Sequence, residues 1–413
     1  MKIKKLSLDV FFSLVLAFFV IRCTGSYIYI YVPMLLWIVF ALLKHPQRFV
    51  EIFQKKSNLT LVIFLIYILV VCSIFGTVTN GIGNVVRYLG LFIGAIVLEY
   101  YQYEYSDLKT LVCFSAAIWS YYILKSLKFY FDNPGVARLI MSHQGGQYAN
   151  VAIGGGYGLA FGCALIAVYL FGLFLTEKRE WKLKTRLMIF VSIIVMVVLC
   201  LKAESTITLL ALILGLFIDF TLNIMSKIGK KSRQNTIVLI LVMILILMLI
   251  VMFSDQIGTL LANSNITGNK VIDSRIREIG MTLAGNQMVG DVQLRYNVYI
   301  KSLNTMFTRP LFGSIVQYGF GTSIGVSGHS ELLDVFALYG WPCGIVFLLW
   351  YRKNIRFQTQ HYVFNEGYYF VAWVLLVANQ FTYWSSAWAL FFIVPAVQKL
   401  YFDRKKMETV GNE

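Results

Sequence analysis

Apolar runs of roughly twenty residues, the length that crosses a hydrocarbon layer as a helix, recur along the whole chain. Twelve are legible, near 7–21, 26–43, 59–79, 84–99, 110–131, 148–175, 186–201, 206–222, 236–253, 332–351, 363–380 and 384–401. The first, fourth and seventh are short enough to predict a tilted or partly re-entrant path. A chain 58% hydrophobic and only 14% charged, where a soluble protein carries about 25%, is an integral membrane protein. The predicted fold is therefore all-α and polytopic, with about twelve transmembrane helices.

The net charge of +16 raises nucleic acid as a ligand, but its distribution argues against that. The basic residues lie in short connectors: MKIKK, KHPQRFVEIFQKKSN, Lys109, EKREWKLKTR, NIMSKIGKKSRQN, RKNIRFQTQH and DRKK. They occupy alternate connectors throughout, which predicts both termini on the cytoplasmic side. The first run lacks a small-residue cleavage site and is expected to remain as a span. Cys23, Cys72, Cys113, Cys163, Cys200 and Cys343 show no paired spacing and read as small packing residues.

The remaining connectors face outward, and one is long. The chain thus divides into spans over 1–253, a large extracytoplasmic loop over 254–329, and further spans with a tail over 330–413. The loop is net basic, against the usual bias, with Arg275, Arg277, Arg295, Lys270, Lys301 and Arg309. Within it Ile272, Ile276, Ile279 and Leu283 recur at helical spacing, as do Val292, Tyr296, Tyr299, Leu303 and Phe307 behind Asp291. Two amphipathic helices lying at the membrane surface are expected, followed by the Gly-rich stretch LFGSIVQYGFGTSIGVSG.

The chemistry-bearing residues gather where that loop re-enters the membrane. His329 exchanges a proton near neutral pH and suits a general base acting on a sugar hydroxyl; the alternative is a loop histidine with a structural hydrogen bond. Glu331 and Asp334 complement the dipole of a helix beginning at Ser330, its predicted N-cap, or Glu331 orients and assists His329. Gly340, Pro342 and Gly344 interrupt the following span and read as kink and packing residues. Arg87 lies just inside a span, which makes it a functional candidate, with snorkelling as the alternative. Arg138 precedes HQGGQYANVAIGGGYG, and Lys202 shares a short turn with Glu204. No DxD, HExxH, CxxC or P-loop motif is present, so no metal site and no cofactor is expected. A cluster of outward arginines matches the oxygens of a phosphorylated lipid.

The stretch RYNVYIKSLNTMFTRPLFGSIVQYGFG, followed by GHSELLDVFALYGWPCGIVFLLW, resembles the O-antigen ligase and surface-polysaccharide polymerase superfamily. Arg295, Pro310, Leu311, Phe312, Gly313, His329, Gly340 and Gly344 follow the family order over about sixty residues. The chain departs from the family at Ser330, where Asn is common, and at KAESTITLLALILG, where many members carry Ser-Arg-Gly and Lys202 is the nearest base. The resemblance implies a metal-independent glycosyltransferase in the bacterial cytoplasmic membrane. Its donor would be an undecaprenyl-diphosphate-linked glycan, with His329 and Glu331 catalytic. Arg295, Arg138, Arg275, Arg277, Arg87 and Lys202 are the diphosphate-binding candidates, while a flippase and a chain-length regulator would be partner proteins. Polymerase and ligase differ only in acceptor, and both remain open. A flippase or transporter, the remaining alternative, would show inverted repeats and midplane charges, which the sequence lacks.

Overall fold

The structure is a computed structural model that describes residues 7–22, 28–133, 136, 157–177, 181–203, 205–227, 248, 253–263, 270–285, 288, 290–315, 325–326, 328–359, 366–378 and 384–410. Among them every regular element is helical and no strand occurs. Hydrocarbon offers backbone groups no water, and a helix satisfies its own amides internally.

The apolar runs on described residues all coincide with helices: α1 (Leu8–Arg22), α2 (Ile28–Lys44), α4 (Lys56–Ile74), α5 (Val78–Tyr101), α6 (Tyr105–Asp132), α7 (Tyr157–Glu177), α8 (Leu183–Lys202) and α9 (Thr206–Lys227), then α13 (Glu331–Thr359), α14 (Glu366–Ala378) and α15 (Trp384–Trp388), which runs through a π turn, Ala389–Ile393, into α16 (Val394–Val410). The run at 236–253 lies outside the described residues, apart from Met248 and Phe253. Among the described residues six helices are long and apolar enough to cross a membrane: Val78–Tyr101, Tyr105–Asp132, Gly158–Thr176, Leu183–Lys202, Thr206–Met225 and Glu331–Ile355. A seventh results if α2 and α3 (Pro46–Gln54), which meet at 111°, count as one. This is the make-up of an all-α membrane protein. The fourth run, expected to be short, extends to 24 residues. Thr79, Asn80, Asn84 and Arg87 dilute its hydropathy at one end without breaking the helix.

The core forms where α5, α7 and the Trp384–Val394 segment meet, and small residues let them approach closely. A Cβ on Gly90 would stand 1.9 Å from the Trp384 ring, and one on Gly162 would stand 2.4 Å from Trp119. In the π turn the Val394 N–H donates to the Ala389 carbonyl, five residues back, and the Tyr368 hydroxyl donates to the Leu390 carbonyl at 3.4 Å.

Between α9 and α13 stand α10 (Ser254–Ala262), α11 (Lys270–Leu283) and α12 (Gly290–Thr308). The last two are helical where the apolar spacing predicts helices; α10, only nine residues long, is not announced by periodicity. Asp291 lies in the first turn of α12 and not ahead of it. Backbone packs on backbone between α10 and α11, since a Cβ on Gly258 would meet the Gly280 carbonyl oxygen at 2.7 Å.

Candidate functional site

Helix α13 is broken, and the repair of that break organises the site. Gly340 has φ +81° and ψ 177°. These left-handed, non-helical values suit glycine. Two carbonyls lose their helical partners here. Pro342 has no N–H to give Leu338. The N–H of Trp341, which would serve Ala337, turns to the Pro310 carbonyl at 2.6 Å. The turn after α12 fills the gap. Ser314 and Ile315 donate their N–H groups to the Ala337 and Leu338 carbonyls, each at 2.8 Å. From α4, the Tyr67 hydroxyl fixes the Leu311 carbonyl at 2.8 Å. The fit leaves no room: a Cβ on Gly340 would lie 2.3 Å from the Leu311 oxygen, and one on Gly313 would lie 2.3 Å from the Leu338 carbonyl carbon. Ile315 is the one non-glycine described residue with positive φ, at +62°. For a β-branched side chain that is a strained state. Gly340 and Pro342 thus do more than kink the span. They open a slot that the Pro310–Ile315 turn occupies.

Just before the break, the first turn of α13 is anchored on two sides. Ser330 is the predicted N-cap, as its residue type suits it to be. Its Oγ accepts the Leu333 N–H at 3.2 Å. The carboxylate of Glu331 is 3% exposed and takes the Tyr88 hydroxyl on Oε1 at 2.9 Å and Arg87 Nη2 on Oε2 at 3.4 Å. The Arg87 guanidinium also lies over the Tyr88 ring, 5.5 Å from its centroid. A cation in that place is attracted by the ring face. On the other side the Ser302 hydroxyl of α12 donates to Asp334 Oδ1 at 2.8 Å. His329 directly precedes this turn and is exposed.

Helix α12 is tied down along one face. Arg295, Tyr299 and Ser302 are spaced i, i+4, i+7 and so share a side. Tyr299 donates to the Ala378 carbonyl at 3.0 Å, and the Thr305 hydroxyl takes the Gly325 N–H at 2.7 Å. On the face that carries Tyr299 and Ser302, Arg295 buries Nη1 without a hydrogen-bond partner among the described residues. An unpaired buried guanidinium nitrogen is costly, so it marks a place where an anion would be stabilised.

The other candidates divide. Arg87 and Glu331 are brought into contact. Arg275 pairs with Glu278 on its own helix at 2.7 Å, and Arg277 Nε reaches the Asp273 carbonyl at 3.4 Å. Lys202 lies over the Phe131 ring at 4.7 Å, at the end of α6. Arg138 and Glu204 lie outside the described residues. No three His, Cys, Asp or Glu side chains gather to hold a metal among the described residues.

Sequence reasoning misses two residues. Tyr88 carries no motif, and only its neighbour Arg87 flags the place. Asp219 in α9 is fully buried; its Oδ1 accepts the Gly367 N–H at the start of α14 at 2.8 Å, while Oδ2 has no partner among the described residues. An acid inside an apolar run is the signal that could have found it, the same one that exposes Arg87. No protein-family model matches the chain, and no curated protein sequence matches it.

Proposed function

We propose that the protein is a membrane glycosyltransferase that polymerises undecaprenyl-diphosphate-linked repeat units into a surface polysaccharide at the outer face of the cytoplasmic membrane. The chain would cross twelve times, with both termini inside and residues 254–329 outside. A hydroxyl oxygen of one lipid-linked unit attacks the anomeric carbon of the growing chain on its carrier. His329 takes the hydroxyl proton, the new glycosidic C–O bond forms, and the bond to diphosphate breaks. Undecaprenyl diphosphate departs, its charge met by Arg295 with Arg138, Arg275 and Arg277. No metal and no cofactor enters this scheme.

One observation carries the reading. Arg295, with a buried nitrogen that has no partner among the described residues, stands on α12, and the exposed His329 precedes α13, which Ser302–Asp334 and the Pro310–Ile315 turn join to α12. That join would hold a base and an anion site in a constant relation. Purified protein given only the lipid-linked repeat unit should yield a ladder of chain lengths. General-base help contributes about 100- to 10,000-fold, so His329→Ala should nearly abolish that ladder while the protein stays folded. Product appearing only after a lipid-A core or protein acceptor is added would make it a ligase. Translocation without a new glycosidic bond would make it a transporter and end the enzyme reading.

A further inference from the structure

We propose that Arg87 and Tyr88 are positioning residues that act through Glu331 to hold His329 at the mouth of α13, and that Arg87 is not a ligand of the diphosphate. The proposal rests on the glycosyl-transfer reading for its kinetic test, and on geometry alone for its second test.

The argument begins with the accessibility of Glu331. A carboxylate that is 3% exposed does not reach a glycan hydroxyl in solvent, whatever its chemistry. Both of its oxygens are engaged from α5, one by a phenol and one by a guanidinium. A buried carboxylate is tolerated only with such partners, and removing one leaves a charge that must move or take up a proton. Movement is the consequence that matters here. Glu331 is the first residue of α13, Ser330 is its cap, and His329 is the residue before the cap. Gly328 precedes it at φ +69°. Glycine places little restraint on its neighbour. On its C-terminal side His329 adjoins the turn that Arg87 and Tyr88 pin through Glu331. Arg87 commits its guanidinium to Glu331 and to the Tyr88 ring, whereas Arg295 has a buried nitrogen without a partner among the described residues, as an anion ligand would.

The test is a mutant cycle on the lipid-linked repeat unit. A displacement of about 1 Å costs on the order of 100-fold in turnover, so Arg87→Gln should lower kcat by roughly that factor with donor KM unchanged. Tyr88→Phe, which removes one hydrogen bond and little volume, should lower kcat less, and Arg87→Lys should recover part of it. If Arg87 acts through Glu331, the Arg87→Gln/Glu331→Gln double variant should be no slower than either single variant. If Arg87 gripped the diphosphate, donor KM would rise and the two losses would multiply, which overturns the proposal. The second readout needs no turnover: the rate at which diethyl pyrocarbonate modifies His329, followed by peptide mass spectrometry. That rate should shift in Arg87→Gln and Tyr88→Phe and return toward wild type in the double variant. A rate identical in all four proteins overturns the positioning role. A wild-type protein that forms no glycosidic bond yet shows this pattern would defeat the glycosyl-transfer reading and leave the positioning role standing.

Discussion

Helix α5 carries two charged clusters, one around Arg87 near its middle and one at its Tyr101 end, and the two are built on opposite terms. Around Arg87 the acid is buried at 3% exposure and is met by two side chains of α5. At the Tyr101 end two acids, Asp9 at 2% exposure and Glu104 at 22%, share a wider network. Lys44 bonds Asp9 at 3.0 Å and approaches Glu104 at 3.8 Å, while Arg48 and His45 also reach Glu104. Tyr101 donates to Asp9 at 3.0 Å and takes the Trp37 N–H at 3.3 Å. Lys44, His45 and Arg48 are 25–40% exposed and can trade partners through water. In the second cluster Glu104 has three basic side chains within reach, so no single contact carries it. The same chemistry therefore makes a stiff joint near the middle of the helix and a forgiving one at its Tyr101 end.

The largest test of that contrast lies beside the stiff joint. Gly340→Val places a side chain at φ +81° against the Leu311 oxygen and should eliminate most folded, detergent-stable protein. Gly83→Ala lies on α5 ahead of Arg87, with nothing within 4 Å of the new Cβ. It should express normally and gain a little from helix propensity. Equal losses from both would show that the broken span is no more constrained than its surroundings.

Next comes Glu331→Ala, which leaves Arg87 and Tyr88 without their acceptor. Breaking a buried pair costs about 3–5 kcal/mol. Arg87 is 25% exposed, which puts the expectation at the lower end. The corresponding change at the Tyr101 end, Glu104→Gln, should cost under about 1 kcal/mol, the range of solvent-screened pairs. Thermal melting in detergent compares them directly, and similar shifts would erase the distinction between the two clusters. Asp219→Ala removes the acceptor that caps α14. Loss of a capping acceptor costs roughly 1 kcal/mol, so this variant falls between the other two. Asp219→Asn keeps an oxygen there and should cost less.

The smallest effect is a pH dependence. Burial raises the Glu104 carboxyl pKa, but Asp107, Arg48 and Lys44 outweigh it and hold the group below its ordinary value. A folded pKa below the unfolded one contributes stability that is present above the unfolded value of about 4.3 and lost as pH falls through the folded one. The melting difference between wild type and Glu104→Gln should therefore persist at neutral pH and vanish on acidification below about 4. A difference that grew with acid would contradict the sign.

How far the sequence reveals this depends on the distance over which each feature is decided. Apolar runs such as Leu183–Lys202 announce themselves because hydropathy is local and the membrane leaves the backbone one choice. The Ser330 cap is legible for the same reason, since cap and helix adjoin. The break at Gly340 and Pro342 is visible, but its filling is not: the donors come from Ser314 and Ile315, and nothing in either stretch names the other. Arg87 and Glu331 stand 244 residues apart, so each can be flagged as a costly charge and neither can be assigned its partner. The arginines of α11 stand out as a cluster, but the sequence does not show that Arg275 pairs with Glu278 or that Arg277 bonds the Asp273 backbone carbonyl on the same helix.

The Pro310–Ile315 turn also bears on inheritance. A membrane helix usually travels as a self-sufficient unit, because every carbonyl it needs to satisfy is answered four residues further along. This one does not. Its hydrogen bonding is completed by a segment encoded just upstream, and the turn in turn leans on Tyr67 from the first third of the chain. Moved into another protein without residues 309–315, the span would carry two bare carbonyls into hydrocarbon. The piece that recombination or design must keep whole is thus the turn and the helix together, with a hydroxyl waiting on the neighbouring helix to receive them.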